Sequence, residues 1–450
     1  MIGSQNNRRV VITGMGVVSP IGNDVATFTA NLKAGKHGFV LNEWFKEHAE
    51  EGTPPTRVSA LVKNFTHELI EPYFEKKELR RTDIISQYAV YTAMKALQDC
   101  GTNFADIDPY KCGVYVASGI GGIETSHEQI MTYHNRGVKR VSVFTIPMMI
   151  GNMAPGLVAI KASQLIQKDN GELQLIGSAY STQDSKAPKA GFKGNNYCPV
   201  SACSSSAHAI GEAFRAIKHG YLDAAIAGGT ECCHLGFSYA AFGNMTALTF
   251  SSDPDRASIP FDKERSGFVL GDGAANLILE EYEHAKARGA RIYGEVAGYG
   301  ATCDAYHETS PNPDGSGGAK AMELALQEAG LKPSDVDYIN AHGTSTPIND
   351  PTETLAIKSA LGEHAYKIAV NSTKSMTGHL LGAAGGVESV AVLQQMNGGF
   401  IHPTVGYKVP DPECDLDYVT DGVRTADVRV ALSNSLGFGG HNVTLCFTKV

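Results

Sequence analysis

Residues 195–231 read NNYCPVSACSSSAHAIGEAFRAIKHGYLDAAIAGGTE. A cysteine, Cys203, stands among small residues, three serines follow it, and the chain then turns helical. Ala207, Ile210, Phe214 and Ile217 recur at spacings of three and four, the stripe of an amphipathic helix ending near Gly220. Ahead of Cys203, YCPVSA is short, apolar and β-tolerant; behind the helix, AAIAGG reads as a buried strand. The unit is strand, turn, helix, strand, with a cysteine at the turn.

Two readings of Cys203 stand open at this level. Unpaired N–H groups at a helix start favour an anion, and a thiolate is one. The field is worth roughly 0.3–1 kcal/mol, up to ~2, so it shifts a free thiol at ~8.5 by at most about one and a half units at ~1.36 kcal/mol per unit. That improves a nucleophile without completing an active site. Free cysteine is also among the most buried residue types, and a small structural thiol explains the same pattern. His208, five residues along the helix, points away from Cys203, so any partner base must come from elsewhere.

The rest of the chain bounds the answer. It has 450 residues, 42% hydrophobic and 19% charged, with 49 glycines, which implies two domains or one large duplicated fold. A net charge of −9 argues against nucleic acid as a partner, because phosphate binding needs a basic field. The opening MIGSQNNRRVVITGMG has no secretory pattern, and no apolar run approaches a membrane span. A cytoplasmic protein is expected. Nine cysteines at scattered spacings, without a C-x-x-C pair, support neither a disulfide framework nor a zinc site; no metal is expected.

Strand-like runs (RVVITGMGVV, CGVYVASGIGG, AAIAGGTE, AANLILEEY) alternate with helical ones such as ISQYAVYTAMKALQDCG, the signature of an α/β fold with buried, largely parallel strands. Near residue 290 the pattern restarts with RIYGEVAGYGATCD, which ends on glycine before a polar loop as the first strand does. After it, helices and strands alternate to a closing hairpin, VRVALSNSLGFGG and NVTLCFTKV. Two halves are expected, 1–289 and 290–450. The glycine-rich SGIGGIE at 118–124 lacks the Lys-Ser/Thr of a P-loop and the spacing of a dinucleotide site. One segment, 162–190, breaks the rhythm: it turns polar, carries Asp-Asn-Gly as a hairpin signal, and ends in a Ser/Lys/Pro tail. It reads as an inserted hairpin and surface loop.

Two histidines follow predicted strand ends, His342 in NAHGTSTP and His379 in NSTKSMTGHLLGAAGG, where α/β proteins build ligand sites. Taken singly, each is equally a structural histidine. NSLGFGGHN at 434–442 offers flexible backbone amides beside Phe438, or a plain turn.

Seven motifs occur in order: VVITGMGVVSPIG, SACSSS, PFDKERSGFVLGDGA, DAYHETSP, NAHGTSTPIND, NSTKSMTGHLLGAAGGVES and NSLGFGGHN. Together they resemble the elongating β-ketoacyl-acyl-carrier-protein synthases, condensing enzymes of the thiolase superfamily, over the whole chain apart from 162–190. The resemblance implies a thiolase-like α/β fold of two duplicated halves in five αβαβα layers, usually a homodimer. It implies an acyltransferase performing decarboxylative condensation of an acyl chain with malonyl-acyl carrier protein in fatty acid elongation. A ketosynthase of a specialised lipid or polyketide pathway and a non-catalytic dimer partner are the alternatives.

By the same resemblance Cys203 accepts the acyl chain, His342 and His379 act on the malonyl thioester, and Lys374 orders the histidine side, with Glu388 as a buried acid beside it. Thr344 and Thr346 correspond to residues that bind the pantetheine arm, Thr309 and Ser310 to a mobile loop nearby, Phe438 to a gating side chain and Ile120 to a residue lining the acyl tunnel. No cofactor is needed beyond the phosphopantetheine that the carrier protein brings. Carrier proteins are acidic, so the basic cluster Lys76, Lys77, Arg80 and Arg81, with Arg215 and Lys218, is a candidate docking face.

Overall fold

The computed structural model describes residues 8–42, 57–168, 173–175 and 191–450. Ten strands form its main sheet: β1 Val10–Val18, β2 Cys112–Ala117, β3 Asn196–Tyr197, β4 Ala224–Glu231, β5 Gly273–Glu281, β6 Gly294–Cys303, β7 Tyr338–Asn340, β8 Ala369–Asn371, β9 Val430–Gly437 and β10 His441–Thr448. Their spatial order is β8-β7-β9-β10-β6-β1-β5-β4-β2-β3. Numbering the strands of each half from one to five, both halves read 3-2-4-5-1. Strand 2 pairs in parallel with 3 and 4 in each, and strand 5 runs antiparallel to 4 and 1. The halves join where β1 meets β6, through Val11–Glu295 and Ile12–Gly294.

Six helices complete the layers: α1 Ile84–Cys100, α2 Met153–Ala162, α3 Ser205–Lys218, α4 Ser316–Ala329, α5 Asn349–Leu361 and α6 Ala384–Gly398. Helices α1 and α2 cover the outer face of the first five strands, α4 and α5 that of the second, and α3 and α6 pack together between them. The result is the thiolase-like αβαβα sandwich. Strands such as β4, buried along its whole length, read as continuous apolar runs because helices cover both faces. Helix α1 starts on Asp83, which accepts the Ile85 N–H, and stops at Gly101 in the left-handed region.

The restart noticed near residue 290 has a packing basis. Each first strand carries Gly-x-Gly, and each is irregular in register just before it, between Ile12 and Gly14 and between Val296 and Gly298. A Cβ on Gly14 or Gly16 would lie 2.2 or 2.1 Å from the Ala96 or Thr92 carbonyl of α1; on Gly298 or Gly300 it would lie 2.0 or 1.9 Å from the Ala325 or Ala321 carbonyl of α4. In both halves the first strand lies against backbone of the next long helix, which only glycine permits.

The segment 162–190 departs from a pure surface loop. Leu165–Gln167 pairs antiparallel with Leu173–Leu175, and Leu165 and Leu173 are buried in the core formed with α1 and α2. The expected Asp-Asn-Gly turn and the Ser/Lys/Pro tail lie outside the described residues. The Phe192 N–H donates to Ser163 Oγ at 3.1 Å, so the chain returns close to where it left. Ala162 itself is a buried residue of α2. Expected consequence: Leu165→Ala destabilises the fold by about 2–5 kcal/mol, read as a lower denaturant midpoint; an unchanged midpoint would mean that the hairpin is only appended.

Candidate active site

Cys203 lies in a 3₁₀ turn, Ala202–Ser204, that runs directly into α3. Ala202 has φ of 50°, a strained conformation for a non-glycine residue of the kind found at functional turns. The three serines start α3, Ser204 as the N-cap residue and Ser205 and Ser206 in the first turn, and the Ser204 side chain bonds elsewhere than to the helix N–H groups. Ser204 Oγ donates toward the carbonyls of Ser435 (3.1 Å) and His441 (2.8 Å), Ser205 Oγ bonds the Ala202 carbonyl at 2.7 Å, and Ser206 Oγ accepts the Gly386 N–H at 2.9 Å. Ser204 and Ser206 therefore fasten the cysteine turn to β9, β10 and α6 of the other half. His208 bonds Ser201 Oγ at 2.7 Å and, as expected, is no partner for the thiol.

Cys203 opens on a cavity of about 430 Å³. Ile120, His342, His379, Thr344, Thr346, Thr309, Ser310 and Phe438 line the same cavity. Its apolar wall includes Phe242, Phe268 and Leu381. Phe438 begins the three-residue turn between β9 and β10, and its backbone N–H lies where it favours the Cys203 thiolate. That turn is tied to the Thr309 loop: Gly439 N–H donates to the Glu308 carbonyl at 2.7 Å, and Asp304 accepts from Asn442 at 2.7 Å and from the Asn312 N–H at 3.0 Å. Thr344 and Thr346 share a hydroxyl–hydroxyl bond of 2.8 Å.

Lys374 and Glu388 stand behind the cavity wall. The Lys374 ammonium pairs with Glu388 and lies 3.3 Å from His342 Nδ1. An ammonium only donates, so His342 Nδ1 is the acceptor and the ring proton sits on Nε2. His379 reaches the same tautomer by another route, its Nδ1 accepting the Leu381 N–H at 3.2 Å. The two rings lie 5.3 Å apart, nearly perpendicular, and His379 packs edge-on against Phe268. Burial, reinforced by the Lys374 charge, holds both imidazoles well below their usual range, so both are neutral N–H donors.

For the thiol, burial outweighs the helix field considered from the sequence. Desolvation pushes Cys203 up to about 12, against the pull of Lys374 and the Phe438 N–H, with Glu231 and Glu388 adding to the rise.

Three carboxylates were not picked out from the sequence. Glu353 accepts the His342 and Gly343 N–H groups, each at 2.8 Å, and Asn434 at 3.2 Å; burial lifts it to about 7. Asp304 and Glu231 are the others. The one available signal was an acid inside or at the end of an apolar run, as in AAIAGGTE. The basic cluster lies off the cavity: Lys76 and Lys77 are on the short helix Lys76–Leu79, Arg80 and Arg81 follow it, and all four are exposed. Lys77 pairs with Glu75 at 2.8 Å. Asp83, just beyond, accepts from the Thr125 hydroxyl at 2.6 Å. Arg215 and Lys218, on α3, pair with Glu328 at 3.4 and 3.1 Å. Among the described residues no group of three His, Cys, Asp or Glu is arranged to hold a metal, and no helix is long and apolar enough to cross a membrane.

A site of this composition on this fold defines a class of condensing enzyme, and comparison with known proteins agrees. Residues 7–163 and 186–285 match the β-ketoacyl synthase N-terminal domain and residues 293–408 the C-terminal domain. The chain belongs to the β-ketoacyl synthase family and is an acyltransferase of the condensing type. The break in the first match, 164–185, falls on the inserted hairpin.

The chain is 46% identical over 443 residues to a 3-oxoacyl-[acyl-carrier-protein] synthase 2 of Synechocystis sp., covering 98% of each. It is 43% identical over 448 residues to the protein of that name from Staphylococcus aureus, covering 98% of this chain and 99% of that one. Among solved structures it resembles a type II polyketide synthase ketosynthase bound to the hexaketide and in complex with its acyl-carrier protein (TM-score 0.85, 33% identity, 99% of this chain and 100% of that one). A β-ketoacyl synthase from Burkholderia phymatum is similar at TM-score 0.85 and 32% identity, covering 98% of this chain and 100% of that one.

The buried thiol makes a pH test direct. Because the folded value lies above that of a free thiol, alkylation of Cys203 by iodoacetamide should keep accelerating past pH ~8.5, where an ordinary cysteine levels off. A plateau at or below that pH would contradict the burial argument.

Proposed function

We propose that this chain lengthens acyl chains in fatty acid synthesis: it moves an acyl group from acyl carrier protein to Cys203 and condenses it there with malonyl-acyl carrier protein, releasing 3-oxoacyl-acyl carrier protein and CO2. The observation that carries this reading is the cavity in which Cys203 meets two neutral imidazoles, both of the Nε2–H tautomer. A general base would need a free ring nitrogen aimed at the substrate. Two N–H donors suit an oxyanion instead.

The steps follow. Cys203 sulfur attacks the thioester carbonyl, the carbon–sulfur bond to pantetheine breaks, and the thiol proton leaves with the departing sulfur. The oxyanion formed on the way is held by the amides of Cys203 and Phe438. Malonyl thioester then loses CO2; the electron pair of the broken carbon–carbon bond becomes an enolate, whose oxygen takes the N–H groups of His342 and His379. One such donor is worth about 10²–10³ in rate. The carbanion attacks the Cys203 thioester, and the released thiolate takes up one proton.

Lys374, held by Glu388, keeps His342 neutral and oriented. Thr344 and Thr346, on the cavity lining, receive the pantetheine arm as part of the substrate. Thr309, Ser310 and the Phe438 turn move as one gate, since hydrogen bonds join them, and Ile120 with the apolar wall receives the acyl chain. Phosphopantetheine is the only prosthetic group required and arrives with the carrier protein. The reading extends to a cytoplasmic homodimer, in keeping with nine unpaired cysteines, and to a division of the chain at 289/290, supported by the repeated 3-2-4-5-1 strand order. The identity to 3-oxoacyl-[acyl-carrier-protein] synthases exceeds that to polyketide ketosynthases, which favours fatty acid elongation.

Incubation with acyl- and malonyl-acyl carrier protein tests the reading: wild type should acylate, release CO2 and yield a product two carbons longer, and Cys203→Ala should do neither acylation nor extension. Absence of both in wild type would refute it. The docking face has its own test. Lys77→Glu with Arg80→Glu should raise KM for carrier-protein substrates about tenfold at unchanged kcat, with the difference shrinking in high salt; an unchanged KM would remove this helix from the docking face.

A further inference from the structure

The glycine-rich loop at 118–121, which lacks the pattern of a phosphate site, receives a carboxyl group of the chain itself. Glu231, the last residue of β4, is buried and accepts four hydrogen bonds. These come from Ser118 Oγ (2.8 Å), Gly119 N–H (2.7 Å), Ile120 N–H (3.3 Å) and Gly382 N–H (2.9 Å). The loop 118–121 is drawn in further by the Gly121 N–H, which donates to Ser118 Oγ at 2.9 Å.

The donors come from both halves of the chain. Gly119 and Ile120 line the acyl cavity and belong to the first half. Gly382 belongs to the second, in the 3₁₀ turn Leu381–Ala383. Side chains are excluded at the point of closure: a Cβ on Gly119 would lie 2.8 Å, and on Gly382 2.7 Å, from the same Glu231 oxygen. The residue directly before this anchor is strained, Leu381 having φ of 45°. Its N–H is the donor that fixes the His379 tautomer, and the next N–H, that of Gly382, is held by Glu231.

We infer that Glu231 is a positioning residue of the condensation: it locks the Leu381–Gly382 turn so that the Leu381 amide keeps His379 as an Nε2–H donor, and with the same carboxylate it sets the Gly119–Ile120 wall of the acyl cavity. The inference rests on the condensing function proposed above. Glu231 touches no reacting atom. A carboxylate is required because all four partners donate; glutamine keeps the size but turns one acceptor into a donor facing N–H groups.

Glu231→Gln separates this role from a merely structural one. Its negative charge also lies close enough to Cys203 to oppose the thiolate, alongside Glu388 and against Lys374. In a folded variant, malonyl-acyl carrier protein decarboxylation and condensation should fall by about tenfold to 10²-fold, the loss expected of a catalytic group displaced by ~1 Å. Alkylation of Cys203 should accelerate at a given pH, its profile moving to lower pH, and the chain-length distribution of products should change. Opposite movement of the two half-reactions supports the inference. Unchanged condensation and chain length in the folded variant would overturn it, as would a parallel loss of acylation and condensation with a lowered melting midpoint. Wild type run beside it must condense; if it does not, the functional reading fails before the inference is reached.

Discussion

The Lys374 ammonium, buried between the Glu388 carboxylate and the His342 ring, is the interaction on which the site depends. A lysine this deep is tolerated because its charge is paired, and removing either partner would leave an uncompensated buried charge, a loss of about 3–5 kcal/mol. With the pair intact, the ammonium does two things to His342. It donates to Nδ1, which forces the proton onto Nε2, and its positive charge opposes a second proton. The imidazole is thereby a fixed neutral donor, the state in which it can hold an enolate oxygen without consuming a proton from the reaction.

That pair lies in the second half of the chain, while Cys203 lies in the first, so the site exists only where the halves meet. The duplicated strand order brings α3 and α6 side by side in the middle layer, and the cysteine turn and the His379 loop sit at their starts. Side-chain bonds hold the seam: Ser204 and Ser206 from the first half bind backbone of the second, and Glu231 gathers amides from both. Sheet packing against glycine backbone at Gly14, Gly16, Gly298 and Gly300 keeps each layer close to its outer helix. Rigidity of this kind allows two perpendicular imidazoles and a thiol to share one cavity.

Much of this was legible in the sequence, for identifiable reasons. The 3.6-residue stripe after Cys203 and the buried runs around it set the local fold, because layers covered on both faces leave a strong hydrophobic signal. The cysteine, the two histidines and Phe438 stood out in polar or glycine-rich turns next to strands, but each was equally open to a structural reading, and only the resemblance carried by the seven ordered motifs gave them roles. The direction of the thiol's shift was not legible: sequence shows a helix start but not the burial that overrides its field. The serine run does start α3, but its bonding across the halves was not legible, since its partners, Ser435, His441 and Gly386, are far away along the chain. Glu231 and Glu353 were hidden because a lone acid near an apolar run says nothing of which amides it will meet. The hairpin in 162–190 was legible from its Asp-Asn-Gly signal, but its anchoring was not, because Leu165 and Leu173 are too few to make a periodic pattern yet enough to join a core.

The chemistry of the site turns on two imidazoles that are neutral and carry their protons on Nε2. Nitrogen-15 NMR of the histidine-labelled protein, followed from about pH 8 to about pH 5, reads protonation and tautomer at each ring, with His342→Ala and His379→Ala for assignment. Both rings should show the Nε2–H tautomer throughout and remain uncharged through the ordinary histidine value near ~6.5. Titration of either ring in that range, or an Nδ1–H tautomer at either, would contradict the account.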